Sequence, residues 1–236
     1  MCRRCVALEL AADLHDSEQS TVSGVEAFGR LLRLYRRVVP SALPFDLPLR
    51  APDLWTAATR SPFLDGMSDG TLPTAALDVW LAQDALFVAD LLTFQARLLA
   101  RAPRKDQPLL AGGIVALVEE LAWFDRLAAR RSLRSAPTPL PVTLAYRHLL
   151  TRLDRAPYAD ALAALWVIER VYLDAWTSAR SAAPTYRELV GHWTAPAFAT
   201  YVAGLEQLLS APADTGLLCE VLVQEAAFWN AAWDAA

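Results

Sequence analysis

The sequence predicts an all-α fold, and three observations carry that expectation. From Ala51 onward, apolar residues recur at i, i+3, i+4 and i+7, with leucine and alanine dominant. Most of the later prolines, from Pro73 to Pro212, fall between these segments or in their first turns, where a missing N–H costs nothing. No alternating strand pattern bounded by turn chemistry is present.

The elements follow in order. Residues 1–50 read as an N-terminal extension: Asp16-Ser-Glu-Gln-Ser-Thr is turn-like, a short amphipathic helix is expected over Val25–Val39, and Pro40, Pro44, Pro48 and Pro52 punctuate a linker. Residues 51–236 read as one helical domain with helices at roughly 53–66, 74–102, 108–131, 141–153, 158–181, 185–192, 195–210 and 214–234. Thr71 and Asp214 are the expected N-caps of the segments that follow them. Short connections point to antiparallel neighbours in a multi-helix bundle. The segment from Ala159 to Trp176 is hydrophobic on most faces and belongs at the bundle centre. Gly112-Gly113 reads as an isolated pair ahead of a helix, not as a phosphate loop.

Composition narrows the function classes. Of 236 residues, 55% are hydrophobic and 20% charged, enough apolar material for a large core. A net charge of −4 argues against a nucleic-acid partner. The arginines between Arg97 and Arg134 are expected on solvated helix faces. Lys105 is the only lysine and sits in a turn-like Arg-Lys-Asp, which disfavours Schiff-base chemistry. No secretory signal or membrane span is read from the sequence, so a cytoplasmic location without a membrane partner is expected. Cys2-Arg-Arg-Cys5 has no second pair, and with Cys219 the odd total implies no disulfide framework.

Polar residues in apolar places carry the functional signal. Asp84 lies in line with Trp80, Phe87, Val88 and Leu91; Glu169 with Leu165, Trp166, Tyr172 and Leu173; Glu225 with Leu218, Leu222, Phe228 and Trp229. A lone carboxylate on an apolar stripe is costly unless paired, hydrogen-bonded or protonated. Either each acid reaches solvent or an arginine at a helix edge, or the three share an aromatic-lined pocket suited to acid–base chemistry. His15, His148 and His192 lack the Glu-x-x-His spacing of a di-iron site, and nothing singles one out as a haem ligand. No metal and no cofactor are expected.

Ser61-Pro-Phe-Leu-Asp-Gly-Met-Ser-Asp-Gly-Thr-Leu-Pro, followed by Trp80-Leu-Ala-Gln-Asp84, resembles the opening motif of the TenA/thiaminase II family. The resemblance continues through Tyr146-Arg147, Ala164-Leu-Trp-Val-Ile-Glu169-Arg-Val-Tyr172, Gly191-His-Trp193, Tyr201-Val202 and Gln224-Glu225-Ala-Ala-Phe228-Trp229, covering about residues 52–236. It implies a single-domain, haem-oxygenase-like bundle without haem, and a homo-oligomer. It also implies hydrolysis of 4-amino-5-aminomethyl-2-methylpyrimidine, or its formylated form, to the hydroxymethylpyrimidine in thiamine salvage. By the same resemblance Asp84 binds the pyrimidine and Glu225 is the acid. Phe87, Tyr172, Trp193, Tyr146 and Trp166 surround the substrate. Three departures weigh against thiamine cleavage: the family's nucleophilic cysteine falls near Ile168, Phe87 replaces a tyrosine, and Ser61 replaces a histidine. Trp-Val-Ile-Glu169 resembles the cysteine-lacking branch, in which Glu169 would activate water. The alternatives are a pyrimidine-binding protein without turnover, and a regulatory protein with residues 1–50 as a docking arm.

Overall fold

A computed structural model describes residues 41–133 and 137–235; the helix expected over Val25–Val39 and the Cys2/Cys5 pair lie outside them. Ser41–Ala42 (β1) pairs antiparallel with Ala213–Asp214 (β2), Ser41 opposite Asp214 and Ala42 opposite Ala213. A 3-10 turn at Pro44–Asp46 leads into the single helical turn α1 (Leu47–Arg50), whose Leu47 is buried. The proline-rich stretch 43–50 is thus packed on the domain, with Pro44 and Pro48 in first turns where no N–H is needed.

The helix expected over 53–66 is two helices, α2 (Pro52–Thr59) and α3 (Pro62–Asp69). Pro62 disfavours helical geometry at the residue before it. Ser61 is accordingly extended (φ −159°, ψ 157°), and its hydroxyl accepts the Leu64 N–H at 3.3 Å as an N-cap. Gly70, at φ 84°, ends α3 in the left-handed conformation that glycine adopts without strain. Thr71 does not cap the next helix. Its N–H and hydroxyl both donate to Asp69 Oδ1 (2.9 and 2.6 Å), and Pro73 precedes α4 (Thr74–Arg101). Then come α5 (Gln107–Arg131), α6 (Pro141–Leu153), α7 (Tyr158–Ser178), a 3-10 turn at Pro184–Tyr186, α8 (Arg187–Trp193) and α9 (Pro196–Leu208). The last helix, α10 (Thr215–Asp234), starts on Asp214, whose side chain accepts the N–H groups of Gly216 and Leu217, as expected for its cap. Gly112 and Gly113 lie inside α5 rather than ahead of a helix.

The bundle closes around α7, where residues 161–169 are buried without interruption. It packs against α2, α3, α4, α6, α8, α9 and α10, while α10 also meets α2, α3, α4 and α6. The four helices α4, α6, α7 and α10 therefore enclose the centre, and each sends an ionisable side chain into it. Among the described residues α5 alone is long and apolar enough to cross a membrane, by length and composition only; its Val115 and Val118 are exposed.

Candidate functional site of buried carboxylates

Local packing places the acids. Asp84 follows Gln83, which is itself buried and works as a brace: its Oε1 accepts from the Leu140 N–H (2.9 Å) and the Thr143 hydroxyl (2.7 Å), and its Nε2 donates to Thr138 O (3.1 Å). That brace holds the entry to α6 against α4, and α6 carries Tyr146 to the centre. The Tyr146 hydroxyl donates to Glu225 Oε1, and the Tyr172 hydroxyl donates to Asp84 Oδ2 at 3.1 Å. Asp84, Glu225 and Glu169 are only 3%, 5% and 7% exposed, so none of the three reaches solvent at a helix edge.

Asp84, Glu225, Tyr146 and Tyr172 line one cavity with Trp80, Phe87, Phe228 and Trp229. Its empty space is about 240 Å³, part of it open to solvent; its closed interior has room for about one water molecule. Trp80 and Trp229 lie parallel at 5.6 Å between ring centroids, and Phe87 packs on Tyr146 at 4.5 Å. The Trp229 indole donates to Ala58 O (3.1 Å), whereas the Trp80 indole N–H has no partner among the described residues. Two carboxylates and two tyrosine hydroxyls between aromatic walls suit a flat heterocycle carrying both donors and acceptors.

Burial sets the electrostatics. It raises Asp84 well above the carboxylate range, with the charges of Glu120, Glu225 and Glu169 adding to the effect against the opposing Tyr172 hydrogen bond. Burial, then the charges of Glu225 and Glu120, push Glu169 to about 8. Burial lifts Glu225 only to about 7, because the Tyr146 hydroxyl stabilises its carboxylate. Neutral carboxyls at neutral pH are the physical answer to stripes of acid among apolar residues.

Not every expected residue faces this cavity. Glu169 is buried close enough to feel Glu225, yet it does not line the cavity. Trp193 stands behind the wall, edge-on to Trp80 (5.1 Å) and Tyr172 (6.2 Å) and stacked on Trp176 (4.3 Å). Trp166 is a core residue; six positions before Tyr172, it points about 120° away round the helix. Trp80, Phe228 and Trp229 line the cavity beyond the expected set. Sequence reasoning also passed over Glu120, which accepts the Trp193 indole N–H at 2.7 Å and meets His192 Nε2 at 2.6 Å. A separate, larger cleft, with about 730 Å³ of empty space, is bordered by Trp55, Thr56, Arg60 and Asp174. Its one carboxylate, Asp174, is already held by both oxygens on Arg170 Nε, so the acid chemistry lies elsewhere. Among the described residues no three His, Cys, Asp or Glu side chains gather to hold a metal ion.

Comparison with known proteins finds relatives in sequence and in fold. A soybean (Glycine max) protein named "Probable bifunctional TENA-E protein" is 31% identical over 199 residues, covering 75% of this chain and 87% of the relative. An uncharacterised Schizosaccharomyces pombe protein is 25% identical over 188 residues, or 64% of this chain and 78% of its own length. In fold, the TenA homologue of Pyrococcus furiosus superposes with a TM-score of 0.76 at 24% identity, over 81% of this chain and all of that one. The TenA homologue of P. horikoshii gives 0.72 at 20% identity, over 83% of this chain and all of the other. The model of the TENA/THI-4/PQQC family matches residues 50–235, and the chain belongs to that family.

Proposed function

We propose that the chain is an aminopyrimidine aminohydrolase of thiamine salvage, converting 4-amino-5-aminomethyl-2-methylpyrimidine and water to the hydroxymethylpyrimidine and ammonia. One observation carries the reading: Asp84 and Glu225, each bonded by a tyrosine hydroxyl, share one aromatic-lined cavity with their proton affinities raised toward neutrality. The family resemblance supplies the substrate class. Asp84, protonated, donates to a ring nitrogen while its other oxygen accepts from the 4-amino group, a two-point match for an aminopyrimidine edge. The aromatic walls hold the ring. Because the closed interior is small, Phe87 and Phe228, each 7% exposed, give way on entry.

Glu225 and Glu169 act as one acid–base couple with a single proton between them. The ionised member takes a proton from the attacking water as oxygen bonds to the methylene carbon. The protonated member gives its proton to the departing amine, so charge and protons balance. The family resemblance implies Glu225 as acid and Glu169 as base, while the Tyr146 hydrogen bond favours the ionised form of Glu225. Trp80 donates its free indole N–H to an acceptor on the substrate. The test is product analysis with purified protein: hydroxymethylpyrimidine and ammonia in equal amounts support the reading, with the formylated pyrimidine and thiamine as comparison substrates. Binding of the pyrimidine without ammonia release would make the chain a binder.

A further inference from the structure

Glu120, like Glu169, lies outside the cavity wall. Glu120 sits on α5, one helix away from the cavity, and is partly buried, with 18% of its side chain exposed. Both its oxygens are engaged from α8. Oε1 accepts the Trp193 indole N–H (2.7 Å), and Oε2 meets His192 Nε2 (2.6 Å), so the carboxylate assigns the ring proton to Nε2. His192 is stacked on Trp123 at 4.1 Å and 5° between planes, which holds its ring in line, and its side chain is 32% exposed. The Trp193 indole fixed in this way lies edge-on to two cavity residues, Trp80 and Tyr172, and stacks on Trp176. We propose that Glu120 is a positioning residue of this site: braced by His192 on the solvent side, it holds the Trp193 indole that backs Trp80 and Tyr172.

The position of its charge follows from the same contacts. The titratable groups that meet or feel it are His192 on α8, Asp84 on α4, and Glu169 and Tyr172 on α7. His192 is the one basic partner in an ion pair with it among the described residues. Of the three arginines of α5, Arg130 pairs with Glu188 and Arg131 with Asp78. After burial, Glu120 contributes to the raised proton affinity of Asp84, Glu169 and Tyr172. The residue thus has two separable effects, an acceptor for Trp193 and a charge beside the acids.

Two variants separate them. Glu120→Gln keeps an oxygen for the Trp193 N–H and removes the charge; Glu120→Ala removes both. The KM prediction rests on the aminohydrolase reading, and the stability prediction does not. For ammonia release from the aminomethylpyrimidine, Glu120→Ala raises KM by roughly fivefold or more, and Glu120→Gln restores it to within about twofold of the parent. For stability, acids with raised folded-state affinity hold protons that the unfolded chain has already lost, so the urea midpoint of the parent falls as pH rises from 5 to 8. Glu120→Gln makes that fall shallower, because Asp84 and Glu169 ionise earlier without the neighbouring charge. With His192→Gln in both proteins, so that no imidazole pairs with residue 120, a purely structural glutamate would leave the slope alone. Equal slopes in that pair, or a KM that Glu120→Gln does not restore, would overturn the inference. An inactive parent protein would instead overturn the proposed function and leave the slope comparison to decide this one.

Discussion

A carboxyl held neutral by burial behaves differently from one held ionised by an arginine, and Glu169 shows the difference. Its affinity is raised from the ordinary 4.5 to about 8, so its favourable state is the protonated one, and the folded protein loses stability as pH climbs from the first value to the second. Glu169→Gln, which copies the protonated shape, should stand closest to the parent at the acid end of that window and gain stability over it progressively toward pH 8, read by urea unfolding. The same change removes half of the acid–base couple and should lower ammonia release ~100-fold. Tyr146→Phe acts on the other half. Without the hydroxyl that stabilises its carboxylate, Glu225 binds its proton more tightly, so the acidic limb of the pH–rate profile moves to higher pH. Asp84 and Glu225 were readable from sequence because each sits on an otherwise apolar stripe. Glu120 was not, since Glu119-Glu120 is a doublet on a helix with an exposed apolar face, and its partners lie 72 and 73 residues away.

The same contrast between local and distant causes holds for the helices. Asp214 capped its helix as its residue type suggests, but Thr71 was outcompeted by Asp69. The break between α2 and α3 rests on Ser61-Pro62, a local signal that a continuous apolar pattern concealed. Ser61→Ala should cost about 1 kcal/mol, the usual worth of an N-cap hydroxyl, measured as a loss of urea stability. The glycine pair of α5 offers a test with two opposite signs. A Cβ at Gly112 meets nothing within 4 Å, so Gly112→Ala should stabilise by about 0.4–1 kcal/mol through helix propensity. A Cβ at Gly113 would stand 2.2 Å from Gln95 Nε2 and 2.4 Å from the Tyr201 hydroxyl, which are bonded to each other at 2.9 Å. Gly113→Ala must push that buried pair apart and should destabilise by ~1–3 kcal/mol. No sequence pattern reveals which of two adjacent glycines is the tight one, because the contact joins α5 to α4 and α9.

At the scale of the whole molecule, the bundle and its central helix follow from periodicity and from the continuous burial of residues 161–169. What periodicity left open was which side chains on that helix meet the cavity. Tyr172 does, Trp166 points into the core, and Trp193 reaches the site only through its neighbours. Four helices each contribute one ionisable group to an aromatic-lined space where those groups are largely buried, an arrangement that raises proton affinities and favours acid–base chemistry near neutrality. The most direct test of the central claim is ammonia release from 4-amino-5-aminomethyl-2-methylpyrimidine by the parent protein and by Glu225→Gln, with both shown to fold by their melting transitions. The parent is expected to turn the substrate over, and the variant to lose ~100-fold or more. Equal turnover by a folded Glu225→Gln would contradict it.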